Sequence, residues 1–135
     1  MHVDNLVVIV TVLAMLVYLW TSIRVAQARA KYGVAAPAVT GHEGFERAYR
    51  VQINTLEWLP LFLPSLWLFA FYWGGRVAAA LGALWVLGRI YYAIAYVQDP
   101  ARRGPGFGLQ ALATMVLMLG ALAGACRQLL AGVEV

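Results

Sequence analysis

Charge is scarce in this sequence. Asp, Glu, Lys and Arg make up 12% of its 135 residues, about half the share of an average soluble domain. Lysine occurs once, at Lys31, and cysteine once, at Cys126. A lone cysteine excludes an internal disulfide and a cysteine-based zinc site. In its apolar stretch Cys126 reads as a small buried or lipid-facing residue. His2 and His42 share no metal-ligand spacing, so no metal is expected and both read as solvated. No basic run or nucleic-acid motif accompanies the net charge of +4, so nucleic acid is not expected as a partner. Ser22, Ser65 and the threonines stand in no nucleophile–base pattern, which leaves a hydrolase unsupported. The segment Gly104 to Gly108 has a phosphate loop's glycines without its lysine, and reads as a turn.

What the chain has in excess is apolar surface. Hydrophobic residues make up 63% of it, against about 45–50% in average usage. A small domain buries only about two thirds of the surface its unfolded chain exposes. So short a chain therefore cannot hide this much apolar surface from water, and one compact membrane domain over residues 1–135 is expected.

Four spans are predicted, at about 5–29, 44–73, 77–97 and 107–130. The first holds an uncharged run from Asn5 to Ile23 between Asp4 and Arg24. At 1.5 Å per residue that run covers about 28 Å, close to a bilayer's hydrocarbon thickness. A cleaved signal peptide fits poorly, because Asp4 precedes the run and no basic segment does. Gly33, Pro37 and Gly41 punctuate the first connection, Gly74 and Gly75 the second, and Pro100, Gly104, Pro105 and Gly106 the third. Pro60 and Pro64 lie inside the second span, where a kink or a broken turn is expected. The fold class is all-α, an integral membrane four-helix bundle running up-down-up-down. Arg24, Arg29, Lys31, Arg47, Arg50, Arg102 and Arg103 flank the first and third connections, and only Arg76 and Arg127 flank the other side. The positive-inside rule then puts those connections in the cytoplasm and both termini outside it.

Charge inside a span is costly, roughly 2.5–3.5 kcal/mol near a helix centre on insertion scales. At 100° per residue, Arg47, Arg50, Asn54 and Glu57 fall within an arc of about 80° on the second span. Gln52 points roughly the other way, toward a different neighbour or a different subunit. On the third span Trp85, Arg89, Tyr92 and Tyr96 share a face, with Arg103 seven residues beyond and Arg29 closing the first span. The polar groups of all four spans are thus expected to converge at one membrane level. Bland readings stand beside this one. Arg47 and Arg50 can snorkel to headgroups, Glu57 can pair with an arginine to hold helices together, and Tyr92 and Tyr96 can belong to an interfacial belt. As a set, these residues suit a small zwitterionic ligand with more than one carboxylate. Arginine forks take carboxylates, Glu57 an ammonium, and Asn54 and Gln52 peptide-like amides.

The stretch from Phe45 to Leu63 reads FERAYRVQINTLEWLPLFL. It closely resembles the signature of the MAPEG superfamily, the membrane-associated proteins of eicosanoid and glutathione metabolism: an FER start, R-x-Q-x-N-x-x-E, an aromatic residue and PLFL. Length, span order, the segment from Arg89 to Tyr96 and Arg103 agree, so the resemblance covers essentially the whole chain. It is similar most of all to the branch of leukotriene C synthase and microsomal glutathione transferases two and three. That resemblance implies a homotrimer of four-helix protomers, with glutathione as co-substrate bound between neighbours at the cytoplasmic side. It assigns Arg29, Arg50, Gln52, Asn54, Glu57, Trp58, Tyr92 and Tyr96 to glutathione, and Arg103 to its thiol. Two departures stand out. Trp58 replaces the usual tyrosine, and Ala30 stands where the synthase has a second arginine, so eicosanoid synthesis is not implied.

The function expected is a membrane-bound glutathione transferase. Its partners would be the bilayer and a lipophilic electrophile, or a lipid hydroperoxide if it also acts as a peroxidase. Two other classes stay open. One is a non-catalytic lipid-binding member of the superfamily, and the other a small transporter using Glu57 as a proton-coupled site.

Overall fold

A computed structural model describes residues 4–132; His2 lies outside the described residues. Four long helices carry the chain: α1 (Asn5–Tyr32), α2 (Glu43–Trp73), α3 (Gly75–Gln98) and α4 (Gly104–Leu130), with a 3-10 turn at Pro100–Arg103 before α4. Each is long and apolar enough to cross a membrane. Even α3, the shortest at 24 residues, spans about 36 Å. The protein is an all-α four-helix integral membrane bundle.

The helix ends follow local chemistry. The carboxylate of Asp4 caps α1 by accepting from the Leu6 N–H at 2.9 Å. At the other end Gly33 takes φ +67°, and the Val34 N–H reaches back to the Arg29 carbonyl at 3.1 Å. This is a Schellman closure, and only glycine adopts that φ freely. Nδ1 of His42 accepts from the Gly44 N–H at 3.0 Å and so caps α2. Its ring also stacks on Tyr32, centroids 4.0 Å apart. Gly74 alone joins α2 to α3. Asp99 closes α3 and caps the 3-10 turn through the Ala101 N–H at 3.0 Å.

No broken turn appears at Pro60 or Pro64, and α2 is continuous through both. Ser65 Oγ donates to the Leu61 carbonyl at 2.6 Å, as Thr55 Oγ1 does to Val51 at 2.7 Å.

The packing is a rhombus rather than a square. Helices α2 and α3 touch along the short diagonal; α1 packs on both, and α4 packs on both from the other side. Valine, alanine and threonine line the inner face of α1, at Val7, Val10, Ala14, Val17 and Thr21. Larger residues such as Ile9, Leu13, Leu16 and Leu19 face outward. Small residues inward and large ones outward is how helices pack where lipid is the solvent. In the core, Trp85 stacks flat on Phe62 at 4.2 Å.

Contact between α3 and α4 is close enough to be set by backbone. A Cβ on Gly106 would lie 2.6 Å from the Tyr92 nitrogen and 2.8 Å from the Gly88 oxygen. Neither atom can rotate away, so the helices must separate to admit it. Gly106→Ala is expected to cost about 1–3 kcal/mol, the usual range for overpacking. A thermal unfolding midpoint in detergent unchanged from the parent would contradict this.

Candidate functional site

The interior of the bundle holds one guanidinium. Arg89 on α3 is 0% exposed. Its Nη1 donates to Asn54 Oδ1 at 2.9 Å and its Nη2 to Thr55 Oγ1 at 2.8 Å, both on α2. Its face lies 4.3 Å from the centre of the Tyr92 ring. Among the described residues no carboxylate lies within ion-pair distance of it. The charge is therefore solvated by an amide, a hydroxyl and an aromatic face.

Two of the groups that hold Arg89, Asn54 and Tyr92, line an open cleft. The cleft, of about 400 Å³, is lined by Arg50 and Asn54 from α2, Tyr92 and Tyr96 from α3, Arg103 from the 3-10 turn and Phe107 from α4. The spacing of these helices explains the convergence. Residues three, four or seven apart share a helix face, and the rhombus brings the faces of α2, α3 and α4 together. A second cleft of about 390 Å³ runs on from the first, sharing Arg50 and Tyr96, toward Glu43, Glu46 and Pro100. Arg50 and Arg103 are both exposed, and neither has a carboxylate within ion-pair distance among the described residues. Arg103 Nη1 reaches only the Pro100 carbonyl, at 3.3 Å.

Other residues singled out in the sequence lie beside the cleft or away from it. Glu57 is exposed and makes no ion pair among the described residues, although it shares a helix face with Arg50. Its one described hydrogen bond is a long 3.4 Å contact from Asn54 Nδ2. Trp58 meets Phe107 edge to face at 5.4 Å, at the cleft's wall. Gln52 reaches α1, donating through Nε2 to Ser22 Oγ at 3.1 Å. Arg29 does not join the convergence expected of all four spans. It donates to the Ala38 carbonyl at 2.7 Å and lies 4.6 Å over the Phe45 ring, fastening the connection between α1 and α2. The reason is topological, since α1 and α4 flank the α2–α3 pair from opposite sides. Arg47 also leaves the stripe: it pairs with Glu43 and donates to the Val97 and Gln98 carbonyls at 3.3 and 3.2 Å. A cation on the last carbonyls of α3 complements the helix dipole.

Sequence reasoning placed Arg89 on the correct face but missed its two anchors as a unit. Thr55 and Phe107 were not singled out at all. The available signal was Arg89 itself, because an intramembrane guanidinium needs acceptors, and Thr55 lies next to Asn54 in the α2 motif.

The role of Thr55 is separable from that of an ordinary threonine in a membrane helix. Thr114 is equally buried, and its one described hydrogen bond runs to the Gln110 carbonyl at 2.9 Å. Thr55→Val is expected to destabilise the protein by about 1.5–3 kcal/mol, the range for a hydrogen bond to a charged group. Thr114→Val should fall at or below about 1 kcal/mol. Equal unfolding midpoints for the two variants would contradict the assignment.

The comparisons agree with this architecture. The family model described as MAPEG family matches residues 7–123. Microsomal glutathione S-transferase 2 of Homo sapiens is 37% identical over 102 residues, covering 75% of this chain and 69% of that protein. Leukotriene C4 synthase of Cavia porcellus is 35% identical over 126 residues, covering 87% and 84%. An uncharacterized protein of Synechocystis sp. is 55% identical over 114 residues, covering 84% and 83%. With the bundle, the intramembrane arginine and a match from α1 deep into α4, the chain belongs to the MAPEG family.

Proposed function

We propose that the protein is a membrane-bound glutathione transferase that ionises the glutathione thiol with Arg103 and conjugates it to lipophilic electrophiles. The observation that carries the reading is a pair of guanidinia, Arg50 and Arg103, with no ion-pair partner among the described residues, at one polar cleft with Asn54, Tyr92 and Tyr96. Its volume of about 400 Å³ lies within the range of small-molecule sites, about 300–1,000 Å³. Relatives named as glutathione transferases support the choice of ligand.

In this reading Arg50 takes a carboxylate of glutathione, Glu57 its ammonium and Asn54 a peptide group. Tyr92 and Tyr96 supply hydroxyls, and Trp58 walls the cleft. Arg29 and Gln52, which lie toward α1, would serve the cleft of a neighbouring protomer in a homotrimer. The cleft would open on the side that the basic residues mark as cytoplasmic.

The chemistry asked of Arg103 is modest. A free thiol ionises near pH 8.5, so little is thiolate at neutral pH. A guanidinium at hydrogen-bond distance favours the anion. Lowering the pKa by two units takes about 2.7 kcal/mol. Arginine stays protonated, so it stabilises the thiolate and the proton leaves to solvent. The thiolate sulfur then forms a bond to the electrophilic carbon as the leaving group departs with its electron pair. With a lipid hydroperoxide the same thiolate attacks the terminal peroxide oxygen, the O–O bond breaks to release the alcohol, and a second glutathione displaces the oxygen left on sulfur as water to give glutathione disulfide.

Arg103→Ala is expected to lower thiolate absorbance and aryl halide conjugation about twentyfold at neutral pH, with glutathione binding largely kept. Raising the pH past about 8.5 should restore much of the activity, because the thiol then ionises unaided. Full activity of the variant at neutral pH would refute the role of Arg103. Glutathione binding with no thiolate in the parent protein would instead favour a non-catalytic member of the family.

Arg50 is assigned to binding rather than to chemistry. Arg50→Ala should raise KM for glutathione tenfold or more and leave kcat nearly unchanged, the signature of lost uniform binding. A fall in kcat at constant KM would overturn that division of roles.

A further inference from the structure

The other face of the α2–α3 pair carries a groove with different chemistry. It is formed where α1 crosses α2 and α3, on the side away from Tyr92 and Arg103. Its inner recess, of about 120 Å³, is walled by Trp20, Ala93, Ile94 and Val97. Its outer recess, of about 230 Å³, is lined by Arg24, Gln27 and Lys31 of α1 among others. The two recesses share Arg24, Ala48 and Val97, so they are continuous.

Three features decide what such a groove can hold. Its smaller recess is mostly apolar, Arg24 lines both recesses and Lys31 the larger one, which matches an amphiphile with an anionic head. Neither Arg24 nor Lys31 has a carboxylate within ion-pair distance among the described residues, so both charges are available. No acidic residue lines either recess. The groove therefore offers no carboxylate to the ammonium of a zwitterionic headgroup. Along α1, Trp20, Arg24, Gln27 and Lys31 recur at helical spacing, so one face grades from aromatic to cationic over about 16 Å. That gradient runs toward the end of the helix, where headgroups lie.

We infer that this groove is a binding site for an anionic phospholipid, with the phosphate between Arg24 and Lys31 and an acyl chain against Trp20, Ile94 and Val97. Basic pockets between membrane helices take anionic headgroups by this chemistry. A soluble anion would leave the apolar depth unmatched. The inference uses none of the residues assigned to glutathione, whose cleft lies on the opposite face of the α2–α3 pair.

The test is lipid retention. The full-length protein is reconstituted in nanodiscs of equal parts phosphatidylglycerol and phosphatidylcholine, extracted, and examined by native mass spectrometry. Phosphatidylglycerol should stay bound in preference to phosphatidylcholine. Arg24→Gln with Lys31→Gln should lower its apparent affinity about thirtyfold, the equivalent of about 1 kcal/mol per charge. Arg76→Gln with Arg127→Gln, at the other end of the bundle, should leave it unchanged. Lys31→Gln alone, on an exposed side chain, should give about a fivefold loss and serves if the double variant is unstable. Ile94→Asn should weaken lipid retention with both cations in place. Equal retention of the two lipids would overturn the inference. So would equal losses in the Arg24/Lys31 and Arg76/Arg127 variants, or displacement of the lipid by glycerol phosphate at comparable concentration.

Discussion

A guanidinium buried inside a membrane bundle, with no carboxylate within ion-pair distance among the described residues, draws its solvation from polar and aromatic neighbours. Arg89 has the Asn54 amide oxygen, the Thr55 hydroxyl and the Tyr92 ring, while its buried Nε has no hydrogen-bond partner among the described residues. The cost of leaving any of these unmade is large in a low-dielectric interior. Two consecutive α2 side chains are thus fixed in rotamer by a residue of α3. Asn54 cannot turn freely, since its oxygen is committed to Arg89 and its amide nitrogen is thereby aimed toward Glu57. The floor of the cleft inherits its geometry from a charge that the cleft itself does not display.

The same charge has an electrostatic consequence. Screening by salt and water is weak for a buried group. Arg89 therefore adds to the positive potential that Arg50 and Arg103 already create at the cleft. An anion arriving there meets two exposed guanidinia and the field of a third. The opposite face of α2 and α3, against α1, instead carries Arg24 and Lys31 above apolar walls. Two sides of one helix pair are thereby specialised, and the rhombic packing keeps them apart because α1 and α4 never need to meet.

Much of this was legible in the sequence. Four spans follow from apolar length, and the polar face of α2 from spacing in Arg50, Asn54 and Glu57. The limits are equally physical. Helix periodicity fixes which face a residue occupies, not which neighbour that face meets. Arg29 and Arg103 both lie near one end of the bundle, yet they fall on opposite sides of the α2–α3 pair. Arg47 shares a face with Arg50, but it stands nearer the start of α2, beside the ending carbonyls of α3, and its charge is absorbed there. Pro60 and Pro64 predict a kink or a broken turn; no turn is broken, and α2 runs on through both. Long-range pairings of this kind leave no mark in local pattern.

Trp58 shows how the two levels combine. The resemblance flagged it as a departure, an indole where a phenol is usual, and by itself that suggests only a lost hydroxyl. In the bundle its ring stands edge-on to Phe107, and Phe107 in turn lies 6.2 Å from Tyr92. Phe107 follows Gly106, whose missing side chain lets α4 approach the α3 backbone at Tyr92. An indole has more apolar area to give to that aromatic contact than a phenol does. The substitution therefore moves the wall of the cleft toward apolar packing just where polar contacts from α2 end. The polar end of the site is fixed by the buried charge at Arg89, and its apolar wall by how closely two glycine-bearing helices can approach.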